Sequence, residues 1–272
     1  MEEKTKSILW WPKGNKLIFI ESEASPEFWD KHWKNDDWRA AVTRSRHSRL
    51  WSEIIKKYLP NKECRILEGG CGSGNLVDAM TFWGYDAIGV DNASRTIANI
   101  KDVAPDLNIQ LGDVRRLTFA DNYFDGYLSL GVIEHFWDGF DEILSEMHRV
   151  LRIGGYAFVT YPCVSPLDRI KVFFGGYPKF DDTKSPKDFY QFALNLRETR
   201  KLFEAKGFAC MATRRLAGLM GIERVIPDFA RINSRLSKLS TKSRLLRLSV
   251  GVITTVLAPF SGHIALMVMK KK

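Results

Sequence analysis

The central part of the chain alternates between short apolar runs and segments whose apolar residues recur every three or four positions. Short apolar runs predict buried strands, and the three-to-four spacing predicts helices with one buried face. The predicted strands cover residues 65–68, 86–90, 109–111, 124–130 and 156–161, and the helices between them cover residues 75–83, 94–103 and 140–150. Because strands and helices alternate, this pattern predicts a parallel sheet with helices on both faces.

The pattern resumes near the C-terminus with a helix over residues 194–206 that ends before Gly207. A sixth strand over residues 208–213 follows, and residues 263–269 predict a seventh strand beside it. Between these two strands lies an insertion with apolar residues at helical spacing.

The beginning of the chain differs from the core because six of the eight tryptophans lie in the first 51 residues. Ser25 followed by Pro26 is typical of a helix start. We therefore predict four parts: a helical, aromatic-rich cap over 1–60, a core over 61–214, a helical insertion over 215–262 and a final core strand over 263–272.

The composition fits a packed protein of one or two domains, since 45% of the 272 residues are hydrophobic and 27% are charged. The four cysteines form no CxxC pair and no spacing typical of metal ligands, so we predict no metal site. No export signal follows Met1. Together these features predict a reducing, cytoplasmic location.

The net charge of +9 is concentrated in one place. Nine of the 41 basic residues follow Asp228, and no acidic residue does, so the rest of the chain balances 32 basic against 32 acidic residues. A protein that binds nucleic acid over its whole surface would not divide in this way. The charge predicts a local patch that faces an anionic surface or ligand.

The clearest chemical signal is the segment EGGCGSG, residues 68–74, between the first predicted strand and helix. Its alternate glycines allow a sharp turn and a close approach of the backbone to a ligand. Asp91 ends the second predicted strand, 21 residues after Gly70, a spacing that suits a carboxylate accepting both hydroxyls of a ribose. A second acid, Asp113, follows the third strand.

Five blocks in this order resemble the class I S-adenosylmethionine-dependent methyltransferases, in the group that includes type 11 and the ubiquinone and menaquinone methyltransferases. The resemblance covers roughly residues 61–215, and its blocks are RILEGGCGSG (65–74), GVD (89–91), GDV (112–114), FDGYLSLGVIEHF (124–136) and LRIGG (151–155). It implies a Rossmann-like, mostly parallel sheet of seven strands, with helices on both faces and the last strand antiparallel. A dinucleotide oxidoreductase is disfavoured because its fingerprint is G-x-G-x-x-G, whereas Asn75 and Leu76 follow Gly74 here.

The resemblance also implies the cofactor, S-adenosylmethionine, its product, S-adenosylhomocysteine, and the residues that bind them. Asp91 would bind the ribose hydroxyls with Asn92 over the adenosine, while Asp113 and the Val114 amide would bind the adenine. The methionine end of the cofactor would lie against Glu68, Gly70, Cys71, Gly72, Gly74 and Leu130.

His135 is the candidate catalytic residue, because it lies just after the fourth strand, near the reactive end of such a cofactor. The imidazole would act as a base if the acceptor is a hydroxyl or an activated carbon. The alternative is that it only supports the loop or the cofactor. We interpret Glu134 as structural.

The acceptor site should be built by segments outside the common core. A long loop at the carboxyl end of a parallel sheet is where substrates are usually bound. The segment 164–190 supplies such a loop, and its aromatic residues are Phe173, Phe174, Tyr177, Phe180, Phe189 and Tyr190. Packing of the loop is the alternative role for these aromatic side chains.

The insertion combines basic residues at helical spacing with an uncharged apolar run over residues 248–260. Interfacial membrane helices have this character, although a helical cap with a solvated basic face explains it equally well. We expect no membrane span, because residues 259–262 interrupt the apolar stretch. Contact with an anionic membrane through residues 229–260 is the partner that this pattern predicts.

These observations predict an S-adenosylmethionine-dependent methyltransferase that acts on a small-molecule or lipid-linked acceptor by O-, N- or C-methylation. Two alternatives remain open. One is a protein that binds the cofactor without catalysis, and the other is an RNA methyltransferase with the basic segment as a phosphate track. The balanced charge of the main body weakens the RNA alternative, so nucleic acid is not the partner we predict.

Overall fold

The computed structural model describes residues 7–33, 37–181 and 188–272. Its strands are β1 (Ser7–Trp11), β2 (Lys16–Ile20), β3 (Arg65–Gly69), β4 (Asp86–Asp91), β5 (Ile109–Leu111), β6 (Phe124–Leu130), β7 (Leu151–Pro162), β8 (Phe189–Ala193), β9 (Phe208–Leu216) and β10 (Ile264–Lys271). Its α-helices are α1 (Pro26–Trp33), α2 (Trp38–Arg46), α3 (Arg49–Tyr58), α4 (Asn75–Phe82), α5 (Ser94–Val103), α6 (Asp141–Val150), α7 (Pro166–Phe173), α8 (Leu196–Ala205), α9 (Gly218–Val225), α10 (Phe229–Lys242) and α11 (Arg244–Ser261).

Seven strands form the central sheet in the order β5-β4-β3-β6-β7-β10-β9. The strands from β5 to β7 pair in parallel, and β10 runs antiparallel to both β7 and β9. The predicted fold class is therefore confirmed, including the antiparallel last strand. The chain order reverses direction between β3 and β6, and ligands of open parallel sheets bind beyond the carboxyl ends of strands at such a reversal.

Alternate side chains of the sheet belong to two hydrophobic cores. Ile66 of β3 packs in the core that contains residues of α3, α4 and α5. Leu67, the next residue, packs in the core that contains residues of α6 and the fully buried Phe203 of α8. Because successive side chains of a strand point to opposite faces, helices cover the sheet on both faces.

The N-terminal part of the chain is not wholly helical, which corrects the prediction for residues 1–60. β1 and β2 form a hairpin, and β8 pairs antiparallel with β2 to complete a second, three-stranded sheet. The hairpin turn places Asn15 at φ 46°, a left-handed conformation that asparagine tolerates. The partner strand β8 lies more than 160 residues away along the chain, so local sequence gave no sign of this sheet.

The segment between β9 and β10 forms three helices, α9 to α11, which pack on one another. α11 continues through Pro259 and ends at Ser261. The helix therefore ends two residues after the proline that we expected to interrupt it. Among the helices of the described residues, none is long and apolar enough to cross a membrane.

A buried ion pair joins this insertion to the core. Asp168 of α7 pairs with Arg224 of α9, and both side chains are buried. The carboxylate of Asp168 also accepts hydrogen bonds from the Ser165 amide (2.7 Å) and the Tyr177 hydroxyl (2.9 Å). Arg224 donates a second hydrogen bond to the carbonyl of Cys163 (3.0 Å), at the end of β7.

Asp168→Ala should destabilise the protein strongly, because it leaves the buried Arg224 guanidinium without its counter-charge. We expect the free energy of unfolding to fall by about 3–5 kcal/mol in urea denaturation. Asp86→Ala, at an exposed position of β4, serves as the control and should change stability little. A loss below about 1 kcal/mol for Asp168→Ala would show that the pair does not anchor the insertion.

Candidate functional site

A cleft of about 1170 Å³ opens at the carboxyl ends of β3, β4 and β6. Residues of the glycine loop after β3, the ends of β4 and β6, the loop after β5 and the helix α1 line it. The reversal of strand order predicts a ligand site at this place, and the cleft lies there.

The glycine loop presents its backbone to the cleft through Gly70 and Gly72. Both have left-handed conformations, with φ of 77° and 50°. A β-carbon on Gly72 would lie 2.6 Å from the ring of Trp33 in α1, and one on Gly70 would overlap the side chain of Val132. Side chains are therefore excluded from both positions by backbone conformation and by space.

Asp91 is held in place by the loop that it faces. Its carboxylate accepts hydrogen bonds from the Gly72 amide (2.7 Å) and from the Ala93 amide (2.9 Å). Burial raises the pKa of Asp91, and its hydrogen bonds with the backbone of Ala93, Gly72 and Asn92 oppose that shift. A carboxylate offers about four acceptor positions, so capacity remains for the hydroxyls of a ligand.

Five predicted cofactor residues besides Gly70 and Gly72 line the same cleft, namely Asp91, Asn92, Asp113, Val114 and Leu130. The candidate base, His135, lines it too. Asp113 forms a bidentate ion pair with Arg115, with Nη2 2.7 Å from Oδ2. The hydrogen bonds from Arg115 lower the pKa of Asp113, which keeps this carboxylate ionised. Arg115 also lines the cleft, and no motif in the sequence singled it out.

Three predicted cofactor residues do not reach the surface of the cleft: Glu68, Cys71 and Gly74. Glu68 shares a face of β3 with Ile66 and points toward α4, because side chains alternate along a strand. The Cys71 thiol is buried against β4, where a β-carbon on Gly89 would lie 2.7 Å from it. Gly74 is the residue that precedes α4, and its amide donates to the carbonyl of Cys71 (2.9 Å).

Two buried carboxyl groups lie behind the cleft. Burial raises the pKa of Glu68 to about 8, and the nearby charge of Asp91 adds to the shift. Burial also raises the pKa of Glu134 to about 8. Oε2 of each side chain has no hydrogen-bond partner among the described residues. The raised pKa values favour the protonated, uncharged form of both groups.

His135 lies in a short 3₁₀ turn, Ile133–His135, after β6, and its side chain is 8% exposed. Its Nδ1 lies 2.7 Å from the carbonyl oxygen of Tyr190. Burial lowers the pKa of His135 to about 4, so the ring is neutral at neutral pH. With its one proton on Nδ1 and donated to Tyr190, the ring leaves Nε2 unprotonated, and this nitrogen lies 3.9 Å from Oε1 of Glu134.

Aromatic side chains form one wall of the cleft. Trp29 and Trp33 come from α1, Phe136 and Trp137 follow the turn after β6, and Phe189 begins β8. Trp29 packs edge-on against His135, with ring centroids 4.9 Å apart. The two α1 tryptophans thus shape the pocket.

The predicted acceptor loop contributes less to this wall than expected. Of its six aromatic residues, Phe189 lines the cleft and Tyr190 contacts His135. Tyr177 bonds to Asp168, Phe180 packs against Trp137, and Phe173 and Phe174 are exposed on the surface. Sequence alone could not separate these roles, because all six are aromatic residues of one loop.

Comparison with known proteins agrees with this geometry. A family model described as "Methyltransferase domain" matches residues 67–159, which include the glycine loop, Asp91, Asp113 and His135. Residues 67–159 are therefore similar to the methyltransferase domain of the S-adenosylmethionine-dependent methyltransferases. A "probable S-adenosylmethionine-dependent methyltransferase" of Mycolicibacterium smegmatis is 33% identical over 143 residues, 53% of this chain and 51% of that protein.

Two further proteins are similar to this chain, one in sequence and one in structure. A ubiquinone biosynthesis O-methyltransferase of Sinorhizobium medicae is 29% identical over 127 residues, 45% of this chain and 50% of that protein. The chain thus spans about half the length of the curated relatives it matches. A putative methyltransferase, solved in complex with a methyltransferase activator of Haloferax volcanii, has the same fold, with a TM-score of 0.56 at 17% identity over 89% of this chain and 96% of that chain.

The residues of this methyltransferase cleft fit S-adenosylmethionine. The backbone of Gly70 and Gly72 leaves room where a β-carbon would intrude, which suits close contact with the methionine part. Asp91 has acceptor capacity for the ribose, and Asp113 and Val114 lie together in the lining for the adenine. Within the described parts of the chain, no group of three His, Cys, Asp or Glu residues is placed to hold a metal ion.

Gly72→Ala should weaken cofactor binding, because alanine is strained at φ 50° and its β-carbon would meet Trp33. Relief of this strain and overlap would displace the loop or Trp33 from its place beside the cofactor, so we expect about a tenfold loss of affinity for S-adenosylhomocysteine in calorimetry. Gly251→Ala is the matched control, because a β-carbon at that helical position meets no atom within 4 Å. Equal affinities of the two variants would contradict this description of the loop.

Proposed function

We propose that the protein transfers a methyl group from S-adenosylmethionine to a small-molecule or lipid-linked acceptor. The observation that carries this proposal is one cleft whose lining combines the glycine loop, Asp91 and Asp113 with an aromatic wall. The first three features suit the cofactor, and the wall suits an acceptor with apolar surface, since ligand pockets combine aromatic lining with a few placed polar groups.

The chain's own residues would mainly bind and orient the reactants. When bound, the cofactor supplies a methyl group on positively charged sulfur, which is already electrophilic. Asp91 would hold the ribose, and Asp113 and the Val114 amide would hold the adenine. Trp29, Trp33 and Phe136 would exclude water and restrict the acceptor to an in-line approach.

His135 would act as the general base for an acceptor that must lose a proton. The hydrogen bond from Nδ1 to the Tyr190 carbonyl fixes the tautomer that leaves Nε2 unprotonated. Its low pKa keeps the ring neutral but makes it a weak base, so it suits a hydroxyl whose proton leaves as the methyl bond forms. If the acceptor needs no base, His135 would support the turn beside the cofactor.

The charge around the cleft favours an acceptor that is not a polyanion. Seven carboxylate residues lie in its lining, and Arg115 is the one arginine or lysine among the described residues there. The acids are Glu23, Asp91, Asp113, Asp138, Asp141, Glu142 and Asp188. An RNA strand entering this cleft would meet a surface of its own sign, which argues against the RNA alternative.

The names of relatives support an acceptor of the quinone or lipid type without deciding it. The relative from Sinorhizobium medicae is named for O-methylation in ubiquinone biosynthesis. Its similarity covers half of that protein, so the aromatic wall is the first support for the acceptor and the name of the relative is the second.

Methyl transfer from radiolabelled S-adenosylmethionine to a panel of quinol, phenol and fatty-acid acceptors tests this function. The wild type should label at least one acceptor of this panel, and cofactor binding without labelling of any acceptor would support a non-catalytic role instead. Unlabelled S-adenosylhomocysteine should suppress the labelling, since it competes for the same cleft.

His135→Asn separates the two roles of the histidine. The asparagine amide can still donate to the Tyr190 carbonyl, but it cannot take a proton, whereas His135→Ala loses both functions. If His135 is the base, both variants should lose turnover by about 10²–10⁴-fold while cofactor affinity changes little. If Asn restores the turnover that Ala loses, the residue is a support.

The pH dependence offers a second check on His135. A neutral ring is the active form, and the pKa of about 4 keeps it neutral down to mildly acidic pH. The contribution of this base to turnover should therefore persist from pH 8 to about pH 5 and fall only as pH approaches 4. A fall centred near the ordinary histidine value of about 6.5 would contradict the buried environment described for this ring.

A further inference from the structure

The helices α7, α9, α10 and α11 expose a large set of apolar side chains on one side of the molecule. α11 contributes most of them: Leu245, Leu248, Val252, Ile253, Val256 and Phe260. Leu245 is 77% exposed and Val256 is 70% exposed. Folded proteins rarely leave so many large apolar side chains in water unless the surface binds something.

The exposed residues of α11 form a continuous stripe. Leu245, Leu248, Val252 and Val256 follow one another at intervals of three or four, so they lie on one face of the helix. The opposite face turns inward, where Ala258 and Ser261 are buried.

Close packing against α9 determines which face of α11 is exposed to solvent. The Ser261 hydroxyl donates to the carbonyl of Gly218 (2.8 Å), at the start of α9. A β-carbon on Gly218 or Gly221 would overlap the backbone of α11, so these glycines let the two helices touch. The packing of α9 against the inner face of α11 thus leaves the apolar stripe exposed to solvent.

Two phenylalanines extend the apolar surface beside α11. Phe173 and Phe174 end α7, a helix that packs on α11, and they are 84% and 78% exposed. Their rings contact each other edge to face, with centroids 5.2 Å apart. Aromatic side chains in this position are typical of surfaces that insert into the boundary of a lipid bilayer.

The charge on the same segment has a single sign. Six basic residues and no acidic residue lie between residues 229 and 262. On α10, Arg231, Arg235 and Lys238 recur at helical spacing and are exposed, next to the exposed Ile232 and Leu239. Basic side chains bordering an apolar surface match the headgroups and acyl chains of an anionic membrane.

We propose that this surface, formed by Phe173, Phe174, α10 and the outer face of α11, docks onto anionic membranes. The helices would lie in the interface plane, since no helix of the described residues is long and apolar enough to cross a membrane. A second copy of the chain fits less well, because a symmetric pairing would bring two basic segments together without compensating acids. The proposal does not depend on methyl transfer and is tested separately from it.

Vesicle co-sedimentation of the full chain measures this interaction. Vesicles of phosphatidylglycerol and phosphatidylcholine in equal parts should pellet the protein, and pure phosphatidylcholine vesicles should pellet about tenfold less or none. Raising the ionic strength from about 0.1 M to 1 M should weaken binding to the anionic vesicles, because exposed charges are then screened beyond about 3 Å. Equal recovery with both vesicles, or no pelleting with either, would overturn the proposal.

Variants at exposed positions separate the apolar and basic contributions. Val252→Glu and the pair Phe173→Ala with Phe174→Ala should each reduce binding to anionic vesicles by about tenfold or more. Arg231→Gln combined with Arg235→Gln should do the same and remove much of the salt dependence. Val103→Glu is the control for Val252→Glu, because these valines are 61% and 62% exposed and Val103 lies on α5, outside this surface.

Circular dichroism and cofactor affinity should be unchanged in all these variants, since none of the residues lines the cleft. If Val252→Glu pellets like the wild type, the apolar stripe is not the docking surface. Analytical ultracentrifugation gives the remaining outcome: a dimer that Val252→Glu dissociates would show that a second copy covers this face, and it would overturn the membrane proposal.

Discussion

The hydrogen bond from the Gly72 amide to the Asp91 carboxylate connects the two structures on which the cleft depends. It ties the glycine loop after β3 to the end of β4 and turns the carboxylate toward the cavity. Trp33 packs over the loop from α1, and the Trp38 indole donates to the carbonyl of Ser73 (2.9 Å). The N-terminal helices therefore contact the loop through Trp33 and Trp38, and the end of β4 binds it through Asp91.

The charged residues divide the surface of the molecule into an acidic cleft and a basic insertion. The cleft is rich in carboxylates, which suits a positively charged sulfonium and opposes a polyanionic acceptor. The raised pKa values of the buried Glu68 and Glu134 favour their uncharged forms. The insertion carries the excess basic residues, and it packs at the β7–β10–β9 side of the sheet, next to β9. The proposed sites for a cationic cofactor and for an anionic membrane thus lie on surfaces of opposite charge.

The sequence predicted the parts of the fold that depend on local pattern. The bounds of α5, β5 and β6 are as expected, because each is a short periodic run between clear turns. The sheet of β1, β2 and β8 was missed, since its strands meet only through a long-range pairing.

Glu68, Cys71 and Gly74 were assigned to the cofactor by motif, but a motif does not say that Glu68 shares the α4 face of its strand. Arg115 and the cleft-lining role of Phe136 and Trp137 needed the folded chain, since no spacing in the sequence marks them.

The central claim is that this cleft binds S-adenosylmethionine through Asp91, and calorimetric titration of Asp91→Ala beside the wild type tests it most directly. We expect one site per wild-type chain and a loss of about 1–3 kcal/mol in binding free energy for the variant, which should keep its fold as measured by circular dichroism. Absence of binding by the wild type, or equal affinity of a folded Asp91→Ala variant, would contradict it.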